Sequence, residues 1–600
     1  MNLSANKKNW RIKAVDEDRV SVIRRRYGIS DFLAQILSSR LNNDEDICHF
    51  LEPKLKYLMP DPYHLLDMDK AVSRILSALK HKEKIYIFAD YDVDGATSSS
   101  LLKSFFRDLG HDVGIYVPDR IQEGYGPSKI GMQRIKDMGA SLVITVDCGT
   151  MAHEALDFAH SIGLDVIVID HHLNNDILPK AVAIVNPNRL DENSQYGYLA
   201  AVGVTFLVVS AILSALKKYS LLSQKKMPNL LSYLDLVALG TVCDVMPLIK
   251  LNRVYVAQGI KIMTKTQNIG LKALQQSSGI NEKISCFHLG YILGPRINAG
   301  GRVGKADLGA NLLASTCEVE AKKIASELEK HNNERKVLEL VMQERANIIA
   351  EAQADKNLLF IAEEGWHPGV IGIIAGKIKE KYNKPVAVIA LNDGVGKASC
   401  RSVKDVDFGV KILKAKQQDL LLAGGGHSMA AGFTVAQDKL ADLQIYLENL
   451  FDQDFANKDR ENFSEYNFEL TPSSVNEEFL RELSRLEPFG VSNYEPLFKI
   501  ANLFVLKADI VGNKHIRCTL ALSHGKRNSR NSYSDYSNDS SYLHKPIYAI
   551  AFNSVGSEIE KILLNRKPLN MDVIGTFKEN VWQGRSSIQM QIKDLIINSL

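Results

Sequence analysis

The sequence predicts an α/β protein of several domains: a parallel-sheet domain, tied by a long helix to a smaller α/β domain, then a small C-terminal β-barrel. Three observations predict this. Short apolar runs alternate with helical patterns from residue 84, and again from residue 358. A Glu-, Lys-, Ala- and Leu-rich stretch without Gly or Pro runs from 318 to 352, the pattern of one helix bridging two domains. Short alternating strands dominate from about residue 455. A chain of 600 residues also exceeds one compact core.

Residues 1–75 are mixed and mostly helical in pattern. Asp44, Glu45 and Asp46 open a short helix ending before Pro53, and Arg24, Arg25 and Arg26 read as a solvated face. In the sheet domain, assigned to 76–317, the strands are Ile85–Ala89, Leu142–Val146, Val166–Ile169 and Val182–Val185. Helical patterns at 97–109 and 153–162 separate the first three, which implies a parallel sheet with right-handed crossovers. Continuously apolar strands imply a sheet covered on both faces. The apolar run Val202–Leu216 is shorter than the ~18 residues of a membrane span and reads as a core helix. In the second α/β domain, 353–454, Leu358–Ala362 and Val386–Ala390 read as strands and Gly372–Lys381 as a helix. In the last domain, 455–600, Val573–Phe577 and Ile588–Ile592 read as strands, while 526–544, rich in Ser, Asn and Tyr, reads as a disordered loop.

Composition bounds the function only loosely. Apolar residues make up 45% and charged residues 24%, an ordinary globular balance. A net charge of +3 neither requires nor excludes nucleic acid, because a local groove can be basic within a neutral chain. The seven cysteines are widely spaced with no CxxC, which disfavours a zinc ribbon or redox pair and fits reduced thiols in the cytoplasm. The polar stretch Met1–Trp10 does not read as a signal peptide.

The strongest signal lies where the strands end. The first runs into Asp90, Asp92 and Asp94, the second into Asp147, and the third into Asp170, His171 and His172. A further candidate, Asp244, follows the apolar helix Leu234–Val242. Ligands of open α/β sheets bind at the carboxyl ends of the strands. Clustered carboxylates raise each other's pKa unless a cation compensates. Carboxylates with histidines and no cysteine ligand suit Mn²⁺, Mg²⁺ or Zn²⁺. A metal pair is the common device for cleaving phosphate esters. A lone Asp after a strand is commonly a helix N-cap, and a lone His pair commonly surface or core. Independent caps, however, do not explain three alternate aspartates together with a His-His doublet.

The stretches Asp90–Gly95, Val146–Gly149, Asp170–His172 and Gly240–Asp244 resemble, in order, the four motifs of the DHH phosphoesterase superfamily. The resemblance implies two divalent cations, Mn²⁺ or Mg²⁺. It implies Asp92 and Asp94 as ligands, Asp90 as a further ligand or a support behind them, and Asp147 as a bridge between metals. It makes His171 a ligand, with Asp244 completing the set. It places His172 near the scissile phosphate as a proton donor or charge stabiliser, and Asp170 behind His171. Cys148 and Cys243 read as packing.

Gly424, Gly425, Gly426 and His427 read as a glycine-rich anion-binding loop with a helix starting after it. The segment resembles the DHH-associated (DHHA1) domain, where His427 would contact a backbone phosphate. Ser399 and Arg401, two apart on a strand, point the same way and could grip a phosphate, or form an exposed strand edge. Stretches 118–126 and 294–302 resemble signatures of RecJ-type single-stranded-DNA-specific exonucleases. There Arg120, Arg296 and Arg302, with no apolar pattern to bury them, could line a DNA channel. The sequence has Gly300 where the family usually has Ala. The resemblance extends through Leu486–Gly490 and assigns Ser399 and Arg401 to a terminal 5′-phosphate pocket. The C-terminal barrel resembles an OB-fold, with Phe498, Phe504, His515, Arg517, Tyr548 and Trp582 as strand-binding candidates.

The resemblance thus implies a cytoplasmic, monomeric 5′→3′ exonuclease for single-stranded DNA. It would use two metals, work in recombination and repair beside helicase and single-strand-binding partners, and engage no membrane. Two alternatives remain: hydrolysis of a small phosphorylated substrate such as a cyclic dinucleotide, and a catalytically dead nucleic-acid-binding scaffold.

Overall fold

The computed structural model describes residues 4–598 apart from 120–122, 125, 175–176, 221–226, 456–462, 523–545, 566, 568 and 583–584. Arg120 and the expected disordered stretch 526–544 lie outside the described residues, as does the side chain of Trp582. The chain forms two compact units: residues 59–246 with 255–459, and residues 1–58 with 247–254 and 460–600.

The first unit holds two sheets. The first is all parallel, in the order Gly114–Tyr116, Ile85–Ala89, Leu142–Val146, Asp165–Ile169 and Ala183–Val185. Its central strands are apolar and buried, as expected where helices cover both faces. Helices Val93–Asp108, Lys129–Asp137 and His153–Ser161 make the crossovers. Sequence reasoning missed the edge strand Gly114–Tyr116, whose three residues are too few for a periodic signal. Helix Ala201–Lys218 has the length and apolar composition of a membrane span, yet 78% of it is buried inside the unit, so it is a core helix.

Helix Glu318–Glu351 runs unbroken for 34 residues, matching its sequence pattern. Its last turns bury Met342, Ala346 and Ala350 against Leu359, Ile361 and Val388 of the second sheet. That sheet orders Ala423–Gly426, Ala430–Ala436, Val395–Arg401, Val386–Asn392 and Leu359–Glu364. The glycine run is therefore a strand of an antiparallel hairpin, and no helix follows it. The helix start beside it is that of Phe408–Gln417, where a Cβ on Gly409 would lie 2.7 Å from the Gly426 carbonyl.

In the second unit, strands Phe498–Val511, His515–Leu522, Ile547–Ala551, Arg585–Ile597 and Met571–Trp582 close on one another into a five-stranded barrel. Residues 1–58 do not form a separate core: Phe32 packs its ring on Phe468, Phe479 and Phe498. Phe498 is thus fully buried, not a surface for strands.

Helix Leu234–Cys243 begins with a buried carboxyl, Asp235, which accepts a hydrogen bond from the Thr266 hydroxyl. Burial pushes Asp235 up to about 6, against the Thr266 and Leu236 hydrogen bonds. The folded state therefore holds this proton more tightly than the unfolded chain, so stability falls as pH rises from the ordinary 3.8 through about 6. Asp235→Asn has no such titration. Its melting temperature should match wild type near pH 4 and exceed it at pH 7, by roughly 2–3 kcal/mol of stability. An equal gap at both pH values would contradict this.

Candidate active site

The register of the parallel sheet builds the site. Ala89 pairs with Val146, Val146 with Ile169, and Ile169 with Val185, so the strand ends are level. The next residues, Asp90, Asp147, Asp170 and Asn186, form one row along the carboxyl edge. Backbone bonds extend the ladder by one step: Asp147 N–H to the Ile169 carbonyl at 3.0 Å, and Asp170 N–H to that of Val185 at 3.1 Å. Asp147 adopts φ of +60°, a left-handed conformation costly for most residues and tolerated best by Asp and Asn.

Each carboxylate also has a local reason to be where it is. Asp92 is the N-cap of helix Val93–Asp108, its Oδ1 accepting from the backbone of Asp94 (2.8 Å) and Gly95 (3.1 Å). Asp94 caps a different helix, accepting from the Ala201 and Val202 amides at 2.7 and 2.9 Å. Two motif glycines permit this packing. A Cβ on Gly95 would meet the Asp90 carbonyl at 2.3 Å, and one on Gly240 would meet Asp94 Oδ1 at 2.9 Å. Capping a helix and facing a shared site therefore coexist in the same carboxylates.

Ligand atoms converge in three overlapping groups, each within 4.8 Å: Asp90, Asp92 and Asp147; Asp94, His171 and Asp244; and Asp147, His171 and His172. His171 Nε2 lies 3.3 Å from Asp147 Oδ1 and 3.5 Å from Asp244 Oδ2. Asp94 and Asp147 are 1% and 2% exposed, so they have little water to solvate their charge. Burial, then the neighbouring carboxylates, hold both far above the usual carboxylate range. Burial and Asp92 push Asp244 up to about 7. Burial, with His172 beside it, pushes His171 down to about 4, leaving a neutral imidazole able to ligate. Asp244 Oδ2 is buried with no hydrogen-bond donor among the described residues. Oxygen donors that repel one another, a neutral imidazole and an orphaned carboxylate oxygen fit divalent cations of the Mg²⁺ or Mn²⁺ kind.

Asp170 differs from its expected place behind His171. Its Oδ1 accepts from His172 Nδ1 at 2.7 Å and from the backbone amides of both histidines, and its Oδ2 accepts from Thr150 Oγ1 at 2.7 Å. It therefore orients the His172 ring. Burial opposes charge on His172, but the Asp170 hydrogen bond and charge prevail and raise it to about 9. Asp170 itself is held well below the ordinary range: burial is outweighed by His172 and Thr150. Sequence reasoning missed Asn186 and Asn188, whose side-chain amides donate to the His172 and His171 carbonyls. Their signal was present, as polar residues directly after a fourth apolar strand. Burial raises the thiols of Cys148 and Cys243, so both are neutral packing groups.

The arginines divide. Arg296 is buried, 9% exposed, its guanidinium bonded to Glu329 and the Ile292 carbonyl. This corrects its expected place in a channel: the apolar pattern gave no reason for burial, but an ion pair to the long helix does. Arg302 donates to the Gly369 carbonyl at 2.8 Å and lines a cavity of about 110 Å³ with Asp119 and His367. Gly301 beside it packs on Tyr91, between two candidate ligands. His367, in the loop before helix Ile371–Tyr382, was not singled out from sequence.

Ser399 and Arg401 do come together. Arg401 Nη1 lies 3.3 Å from Ser399 Oγ, and a Cβ on Gly372, at the start of that helix, would lie 3.2 Å from the same hydroxyl. Among the described residues the bonded partners of Arg401 are this hydroxyl and the Cys400 carbonyl, and burial lowers its pKa. A desolvated cation without a carboxylate bonded to it, at a helix N-terminus, suits an anion. Gly424, Gly425, Gly426 and His427 form the nearby hairpin: Gly432 of its second strand pairs with Ser399, and His427 is exposed.

Residues 84–241 match the DHH family, N-terminal domain, residues 355–453 the DHHA1 domain, and residues 466–533 the RecJ OB domain. The chain is 32% identical to the single-stranded-DNA-specific exonuclease RecJ of Bacillus subtilis, over 99% of this chain and 71% of the relative. The chain belongs to the RecJ family. The Escherichia coli RecJ is 34% identical, over 78% of this chain and 83% of its own. The crystal structure of Thermus thermophilus RecJ in complex with Mn²⁺ matches with a TM-score of 0.79 at 26% identity. That match covers 99% of this chain and 80% of the other. As a RecJ-family member this protein is a metal-dependent nuclease, and its barrel is the RecJ OB domain.

Proposed function

We propose that this protein degrades single-stranded DNA from its 5′ end, with two divalent cations, Mn²⁺ or Mg²⁺, held by the row of strand-end residues. The observation that carries the proposal is the overlap of the ligand groups at Asp147 and His171. Asp90, Asp92 and Asp147 would hold one ion, and Asp94, His171 and Asp244 the other, with Asp147 facing both. Such ions, when bound, activate water and neutralise phosphoryl charge. The remaining work falls to the chain. Asp170 fixes His172 through Nδ1, and its hydrogen bond and charge favour the protonated ring. His172 Nε2 is then the atom that supplies a proton to the departing oxygen.

The domain roles follow. Residues 76–317 carry the chemistry, 318–352 connect, 353–454 hold the substrate end, 455–600 hold the strand, and 1–75 pack as support. Ser399 and Arg401 take the terminal 5′-phosphate, Arg302 and His427 contact the backbone beside it, and the glycine strand lets that backbone approach. The same reading gives a cytoplasmic monomer in recombination and repair, supplied with single strands by helicase and single-strand-binding partners. A test follows for the polarity. Arg401→Ala should raise KM for 5′-phosphorylated strands on the order of tenfold or more, as losing a charge-assisted contact does, and leave 5′-hydroxyl strands nearly unchanged. Equal use of both ends by wild type would contradict the pocket.

A further inference from the structure

A second feature borders the metal site without belonging to it. The helix from 286 to 303 contains a π-helical segment, His288–Leu293, and such bulges are frequent at functional sites. One side of the segment is anchored. His288, Leu289 and Leu293 are buried, and His288 bonds Ser285 and Glu282. The other side carries Phe287 and Tyr291, with rings stacked at 5.4 Å between centroids and 25° between planes. Phe287 is 54% exposed and Tyr291 75%. A spacing of four residues on one helix brings the two rings together, but it gives no reason to leave them largely in water.

Their position gives one. The Leu289 carbonyl accepts from Cys243 Sγ at 3.3 Å, and a Cβ on Gly290 would lie 3.6 Å from Val242 Cγ1. A Cβ on Gly294 would lie 2.5 Å from the same sulfur. The segment is therefore laid on the helix end that presents Asp244, and Val245 beyond it is exposed with φ of +59°. A strand whose phosphate reaches Asp244 has its unpaired bases within a few residues of this surface. A flat base stacks on an aromatic ring whatever its sequence.

We propose that Tyr291, buttressed by Phe287, is a base-stacking platform beside the metal site that takes one base of the substrate strand. The inference rests on the single-stranded-DNA reading above. Phe287 fixes the plane of the tyrosine ring, and the outer face of Tyr291 meets the base. Stacking rather than hydrogen bonding makes the contact indifferent to base identity.

The test is an abasic scan. Single strands with a 5′-phosphate carry one abasic residue at successive positions from the end, and initial rates give KM and kcat at each. Wild type should show KM raised on the order of tenfold at one position and little change elsewhere. Tyr291→Ala should show that raised KM on intact DNA, with no further penalty from the abasic residue at that position. Tyr291→Phe should behave as wild type, and Tyr291→Leu as the alanine variant, which separates ring stacking from apolar contact. If the alanine variant does not fold, the leucine variant carries the comparison. A positional penalty that persists in the variant overturns the platform. So does a uniform fall in kcat, an unchanged KM, or an effect confined to self-association or protein binding. If wild type cleaves no intact strand, the function proposed above fails as well. Cleavage without any positional penalty overturns this inference alone.

Discussion

Asp147→Asn is expected to lower kcat on the order of 10³-fold, the upper end of what removing one electrostatic stabiliser costs, and to make the metal-free protein more stable. Both effects come from the same carboxyl. Its burial, and then the charges of Asp92, Asp94 and Asp90, hold its pKa far above the ordinary range. The unfolded chain ionises it readily near neutral pH and the folded chain resists, so the metal-free native state loses stability as pH rises above the usual carboxylate range. An amide has no proton to lose, and Asn tolerates the left-handed backbone at this position. The metal-free variant should therefore melt above metal-free wild type at pH 7, and added Mn²⁺ should stabilise wild type far more than the variant. A variant that keeps near-normal turnover, or melts lower without metal, would contradict the shared-ligand role of Asp147.

Blunt duplex DNA is expected to be almost untouched under conditions that degrade the same strand alone. Asp90, Asp94, Asp147 and Asp170 are each no more than 4% exposed. A phosphate must descend to these groups, and a paired strand can do so only by unstacking and unpairing, at a few kcal/mol per step. A single strand meets no such barrier, and its bases can stack along the path. Initial rates on matched single-stranded and blunt duplex substrates, with no helicase present, check this. Comparable rates on both would mean that the phosphate is reached without separating strands.

Much of this was legible in the chain because its signals are local. The strands Ile85–Ala89 and Leu142–Val146 are apolar but for Thr145, and each delivers its aspartate one residue later. Features with distant partners were not legible. Arg296 read as a channel residue because its partner Glu329 is 33 residues away, on another helix. Asp170 was expected behind the adjacent His171, but the strand-end geometry turns it to His172, and no spacing rule separates the two. Gly424–Gly426 read as a loop because glycine lacks the side chains that mark a strand. Here the neighbours of two of them leave no room: a Cβ on Gly424 would meet Ile412 at 2.9 Å and one on Gly426 would meet Ala431 at 2.4 Å, whereas one on Gly425 would meet nothing within 4 Å.

If carboxylates and imidazoles along one sheet edge make a metal-dependent nuclease for single strands, strand cleavage must follow the cation. The most direct measurement follows release of nucleotides from a 5′-phosphorylated single strand by the purified protein, with Mn²⁺ or Mg²⁺ titrated against excess EDTA. The expected result is release of nucleotides in order from the 5′ end with either cation, and none in EDTA. Continued turnover in excess EDTA would contradict it.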